Sequence, residues 1–112
     1  MQRKSYQGMD CPIALTLEHV GDWWNILILR DVRLGLRRFD EFQRDLSISP
    51  NSLTRRLTSL VESGLLERVP YQDKPVRFDY LPTERGRDFF PVLDALYAYG
   101  MKHFPPQTLE KP

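Results

Sequence analysis

From Arg37 to Tyr80 the chain reads RRFDEFQRDLSISPNSLTRRLTSLVESGLLERVPYQDKPVRFDY. Phe39, Phe42 and Leu46 mark the buried face of a short helix over about Phe39 to Leu46. Ser47-Ile48 is the turn, and Ser49 is an N-cap candidate because Pro50 follows at the first helical position. The next helix carries Leu53, Leu57, Leu60 and Val61 as one apolar stripe and stops at Gly64. Leu66 to Tyr71 and Val76 to Leu81 then read as a β-hairpin, with Gln72-Asp73-Lys74-Pro75 at its tip. Helix, turn, helix, hairpin is the order of a winged helix-turn-helix, whose second helix is shaped for a DNA major groove. The expected class is α+β, mostly α.

Working outward, Pro12 suits the first position of a helix running to about Val20, with Ile13, Leu17 and Val20 on one face and Gly21 at its end. Cys11 falls near the cap. A second helix, roughly Trp23 to Leu34, has apolar residues on several sides and reads as the central core helix, closed by Gly35. Arg37-Arg38-Phe39 forms an extended link before the third helix. Beyond the hairpin, Thr83 caps a last helix that reaches about Phe104, with a kink expected at Pro91. Residues 1–10 read as a flexible arm, 11–104 as the winged domain and 105–112 as a disordered tail.

The chain has 112 residues, 41% of them hydrophobic and 28% charged, which suits one globular domain and neither disorder nor a membrane span. The first ten residues lack the apolar run of a secretory signal. A single cysteine excludes an internal disulfide and points to a reducing compartment, so the cytoplasm is expected. The net charge of +1 is weak support for phosphate binding. From Ser47 to Phe78, however, Arg55, Arg56, Arg68, Lys74 and Arg77 outnumber Glu62, Glu67 and Asp73. Good geometry and two copies would be needed for tight binding.

Residues placed at 100° intervals put Asn51, Ser52, Arg55 and Ser59 opposite the leucine stripe of the fourth helix. These types hydrogen-bond to base edges and phosphates. Ser49 at the cap, Arg56 on the flank, Arg37 and Arg38 in the link, and Lys74 and Arg77 at the hairpin complete the candidate DNA-binding set. A solvated face on a winged-helix module that binds proteins and not DNA is the alternative.

These residues, with others, carry a resemblance. Cys11-Pro12, Gly21-Asp22-Trp23-Trp24, Ile28-Leu29-Arg30, Gly35 to Phe39, Ile48-Ser49, Leu53-Thr54, Arg56-Leu57 and Gly64 to Arg68 follow one another in an order that resembles the HxlR-type winged-helix transcriptional regulators, relatives of the MarR group. Pro75-Val76, Tyr80, Leu81, Thr83, Gly86 and Gly100 continue it, so nearly all of the chain is covered. Asp22 stands where the family commonly has glycine and Trp23 where it often has lysine, and Pro82 precedes the Thr83 motif. The resemblance implies a sequence-specific regulator bound to double-stranded DNA as a homodimer on a pseudo-palindromic operator. Because so short a chain offers no separate contact surface for polymerase, repression is expected over activation.

The residues support dimerisation independently. Phe89, Leu93, Leu96, Tyr97 and Met101, with Leu17 of the first helix, cover too many sides for a small domain to bury alone. N- and C-terminal helices are therefore expected to form a dimer seam, against the alternative that the last helix fills its own core. Several members of the family use a cysteine at the Cys-Pro position to sense oxidants or electrophiles, which makes Cys11 a candidate sensor; the other reading is an inert thiol. A redox or small-molecule effector would fit such a protein. No catalytic set, metal site or cofactor motif is expected, since His19 and His103 stand alone and one cysteine gives no zinc spacing.

Overall fold

The computed structural model describes residues 11–106. The expected N-terminal arm, and the expected tail beyond Pro106, lie outside the described residues. Six helices and two strands follow in the order α1 (Pro12–Val20), α2 (Trp23–Arg33), α3 (Phe39–Leu46), α4 (Pro50–Glu62), β1 (Leu66–Asp73), β2 (Val76–Pro82), α5 (Glu84–Asp88) and α6 (Phe90–His103). This is a winged helix-turn-helix, mostly helical with a small antiparallel sheet.

Local chemistry sets the boundaries. Pro12 and Pro50 open α1 and α4, and the Ser49 hydroxyl accepts the Ser52 N–H at 3.3 Å. Gly35 (φ +102°) and Gly64 (φ +78°) take the left-handed conformation that closes α2 and α4. Behind Gly64, the Gly64 and Leu65 amides donate to Val61 and Leu60 at 3.0 and 2.9 Å. Behind Gly35, the Gly35 and Leu36 amides donate to Val32 and Asp31, both at 3.0 Å. Each pair satisfies carbonyls that a helix end leaves open. Helix α2 ends at Arg33, a residue short of expectation, because Leu34 is its cap.

Helix α2 lies at the centre, touching α1, α3, α4, α6 and β2. Its Ile28 and Leu29 are fully buried with Phe42, Leu53, Leu57, Leu60 and Leu66. Two expectations about the C-terminal part are corrected. The last helix is not merely kinked but divided at Phe89 into α5 and α6. Pro91 has no N–H for the Arg87 carbonyl, and its ring crowds that oxygen. Phe89 and Leu93, assigned above to a dimer seam, are buried in the subunit's own core. Leu17, Leu96, Tyr97 and Met101 remain exposed.

Asp31 on α2 is fully buried. Its Oδ1 accepts from Arg30 Nη2 at 3.1 Å, the same nitrogen donates to Asp45 Oδ2 on α3 at 3.3 Å, and Oδ2 of Asp31 has no hydrogen-bond partner among the described residues. Burial, and next the neighbouring Asp45 carboxyl, push Asp31 up from 3.8 to about 6, with Arg30 opposing. The folded state therefore keeps a proton that the unfolded chain gives up. Stability from this residue is complete below 3.8, declines as pH rises through about 6, and stays lost above that. The loss is on the order of 3 kcal/mol. Asp31→Asn should exceed the parent by that amount in urea unfolding at neutral pH, and match it near pH 4. Identical midpoints at both pH values would show that Asp31 carries no such penalty.

Candidate nucleic-acid interface

Helices α3 and α4 are joined through Ser47, which adopts a left-handed φ of +52°, and Ile48, which is buried and anchors the turn. With Leu53, Leu57 and Leu60 against the core, α4 turns Asn51, Thr54, Arg55, Thr58 and Glu62 fully outward. Ser52 and Ser59 are half-buried at the edges of that face, and the Ser52 hydroxyl accepts from Arg55 Nη2 at 3.5 Å. Arg55 makes no ion pair among the described residues, so its guanidinium fork is available to a base edge or phosphate. Thr54 and Thr58 were missed from the sequence. Thr58 falls within the same outward arc at 100° spacing, while Thr54 sits beside the leucine stripe and owes its exposure to what surrounds the helix. The Thr54 hydroxyl donates to the Pro50 carbonyl at 2.9 Å, leaving the methyl outward.

The hairpin is longer than expected. Gln72 and Asp73 belong to β1, so Lys74 and Pro75 alone make the turn, across a cis Lys74–Pro75 bond. Lys74 and Arg77 are exposed. A bulge between Pro70 and Gln72 leaves Tyr71 without a partner on β2, and its ring lies under the Arg38 guanidinium at 3.7 Å. Arg38 Nε also donates to Asp79 Oδ1 at 3.0 Å. Arg38 forms an isolated bridge with Asp79, and the Tyr80 N–H donates to the Arg37 carbonyl at 2.7 Å. The extended link before α3 is therefore a minimal third strand. It ties the wing to the start of the helix-turn-helix. Glu41 completes that corner: its Oε1 accepts the Arg37 and Arg38 N–H groups at 2.8 and 3.0 Å, and these amides hold its carboxyl below the usual range.

Two expected DNA contacts acquire other partners. Arg56 donates from Nη2 to Asp22 Oδ2 at 3.1 Å, while Asp22 Oδ1 accepts the Trp24 N–H at 2.8 Å as the cap of α2. Arg56 thus clips α4 to the start of the central helix, and the aspartate that departs from the family pattern receives it. Arg38 is likewise held by Asp79 and Tyr71, whereas Arg37 is 55% exposed and only 3.9 Å-distant in its contact with Asp79. Arg37, Asn51, Arg55, Lys74 and Arg77 are the exposed members of the expected set, with Ser49 exposed at the cap.

Away from this face, Cys11 is exposed at the N-cap of α1 and makes no capping bond through its side chain. His19 faces a neighbour, with Nδ1 3.0 Å from the Ser63 hydroxyl at the end of α4. Among the described residues no three His, Cys, Asp or Glu side chains group as a metal site would need, and no helix is long and apolar enough to cross a membrane.

Known proteins resemble this arrangement. An uncharacterized HTH-type transcriptional regulator of Mycobacterium tuberculosis is 43% identical over 93 residues, covering 83% of this chain and 59% of its own length. The chain thus spans about three-fifths of that relative. YtcD of Bacillus subtilis, also named an HTH-type transcriptional regulator, is 32% identical over 104 residues, covering 92% of this chain and 80% of its own. A Pseudomonas aeruginosa protein solved as a candidate transcription factor superposes with a TM-score of 0.66 at 59% identity, over 88% of this chain and 67% of its own. The oxidized form of the redox regulator HypR superposes with a TM-score of 0.75 at 31% identity, over 83% of this chain and 97% of its own. Residues 19–108 match the family described as HxlR-like helix-turn-helix, and with α3, α4 and the wing in place the chain belongs to that family.

Proposed function

We propose that this chain is a sequence-specific, DNA-binding transcriptional regulator of the cytoplasm that acts as a homodimer on a pseudo-palindromic operator and represses by occupying it. The observation that carries this reading is the outward face of α4, where Asn51 and Arg55 stand exposed and Arg55 is free of any carboxylate among the described residues. Arg55 reads a base, Thr54 and Thr58 flank it, and Lys74, Arg77 and Arg37 meet phosphates. Arg55→Ala should weaken operator binding by about 1–3 kcal/mol and relax preference at one base pair per half-site. Lys74→Ala should weaken operator and random DNA alike and flatten the salt dependence. Fluorescence anisotropy on both DNAs across a salt series separates the two effects. Equal losses for Arg55→Ala on specific and random DNA would remove the base-reading role.

The net charge of +1, and the engagement of Arg30, Arg33, Arg38 and Arg56 in ion pairs, favour a second reading as a protein-interaction module. Absence of any DNA binding at low salt would select it. For the effector, Cys11 is exposed at the start of a helix whose first turn contains no acidic residue. HypR, a similar protein, is a redox regulator. Oxidation of Cys11, to a disulfide with another subunit or with a small thiol, would shift α1 and release DNA. Cys11→Ser protein should then stay bound to DNA in peroxide or quinone. Release from that variant would exclude this cysteine as the switch.

A further inference from the structure

A cavity of about 240 Å³ opens between α1, the end of α4 with its turn into β1, and α5. Its apolar floor is Val20, Leu65 and Phe89, all buried. Five polar side chains line it: Thr16, whose hydroxyl donates to the Pro12 carbonyl at 2.8 Å, with His19, Ser63, Arg85 and Asp88. Arg85 gives Nη1 to the Ser63 carbonyl at 2.9 Å and lies over Gly64, where an added Cβ would meet Nη1 at 3.3 Å. The guanidinium is thereby placed while its other donors meet no acceptor among the described residues. Neither Arg85 nor Asp88 forms an ion pair among the described residues. Side chains three apart on a helix stand about 5–6 Å apart at Cβ, a gap that the two ends of a zwitterion can bridge.

We propose that this cavity binds an apolar α-amino acid. Its carboxylate meets Arg85, with His19 beside it; its ammonium meets Asp88; its side chain lies on Val20, Leu65 and Phe89. The volume is below the roughly 300 Å³ at which pockets for drug-sized ligands begin, which excludes nucleotides and suits one small molecule. Arg85 and Asp88 are exposed at the rim, and a zwitterion is the ligand that engages both; a neutral apolar ligand would engage neither and a simple carboxylate only Arg85. The ligand would touch α1 and the turn that ends α4 together. Its effect on DNA rests on the regulatory function proposed above; binding itself does not.

Calorimetric titration of the whole chain with phenylalanine and leucine tests the site directly. Saturable binding is expected, with 3-phenylpropionate and phenethylamine, each lacking one charge, at least about tenfold weaker. Arg85→Gln, which keeps a donor for the Ser63 carbonyl, should weaken phenylalanine and 3-phenylpropionate but spare phenethylamine. Asp88→Asn should show the opposite pattern. No saturable binding at millimolar concentration, or binding indifferent to both substitutions, overturns the proposal. Binding that emerges only in a monomeric Leu96→Asp chain assigns the cavity to a second copy and also overturns it. Anisotropy on operator DNA, read separately, tells failure of the regulatory function from failure of the site: calorimetric binding without DNA release keeps the site.

Discussion

Gly86→Ala should lower the stability of the fold by about 3 kcal/mol or more, a large share of what a small domain has. Gly86 is buried in α5, and a Cβ there would overlap the Leu65 carbonyl oxygen. That oxygen already accepts the Thr83 N–H at 3.1 Å, so it cannot turn aside. Thr83 tightens the same corner: its hydroxyl accepts the Gly86 N–H at 3.1 Å and donates to the Gly64 carbonyl at 2.5 Å. Backbone meets backbone, and relief requires α5 to move away from the turn that ends α4. Such a movement would drag Phe89 and Leu93 out of the core. The helix preference of alanine returns only about 1 kcal/mol, against a total stability of about 5–15 kcal/mol for a domain. Gly100→Ala is the control, because nothing lies within 4 Å of a Cβ there. It should be neutral or stabilising by up to about 1 kcal/mol. Urea unfolding followed by circular dichroism compares the two, and equal midpoints would show that the contact at Gly86 is loose.

The parts of this fold legible in the sequence are those that local chemistry punctuates. Pro12, Pro50, Gly35 and Gly64 each force or permit one backbone conformation, and α1 and α4 begin, and α2 and α4 end, where these residues predict, while α3 is placed by its apolar face alone. The leucine stripe of α4 follows from periodicity alone, and it places Asn51, Arg55 and Thr58 outward, whereas the exposure of Thr54 and the half-burial of Ser52 and Ser59 depend on what surrounds the helix. Pairing is different. Arg56 finds Asp22 and Arg38 finds Asp79 across long stretches of chain, the latter 41 residues apart. No pattern of period 2 or 3.6 contains such a partner, so both arginines looked available to phosphate. The wing exceeds its expected length for a related reason. An exposed two-stranded ribbon needs no apolar alternation, and polar Gln72 and Asp73 extend β1 through backbone pairing with Arg77 and Val76. In the C-terminal helix, an abundance of apolar residues signals that several faces are covered but not by what. The break at Phe89 decides that Phe89 and Leu93 turn inward, leaving Leu96 and Tyr97 outward.

Leu96→Asp with Tyr97→Asp should convert a dimer into folded monomers and weaken binding to a full operator by about 10²–10⁴-fold. The proposed seam is drawn from the apolar residues left in contact with water. Helix α1 exposes Ile13 (72%), Leu15 and Leu17, and α6 exposes Leu96 (50%), Tyr97 (70%), Tyr99 and Met101. Surface of this kind on two helices exceeds what single scattered residues need by way of explanation. A second copy covering it would set two α4 helices about 34 Å apart, one DNA turn. Charge buried there without a partner costs about 2 kcal/mol or more per group, paid by each subunit. Because neither Leu96 nor Tyr97 belongs to the subunit's core, the monomer should keep its helical signal. Leu93→Asp, by contrast, places a carboxylate in that core and should unfold the chain. Sedimentation reports mass, circular dichroism reports fold, and anisotropy compares a full operator with a half-site. Half-site affinity should survive in the double variant, since α4 and the wing are carried within one subunit. Only the advantage of the second half-site should vanish. A double variant that sediments as a dimer would move the seam off α6. A monomer that grips the full operator as tightly as the parent would remove the need for two copies.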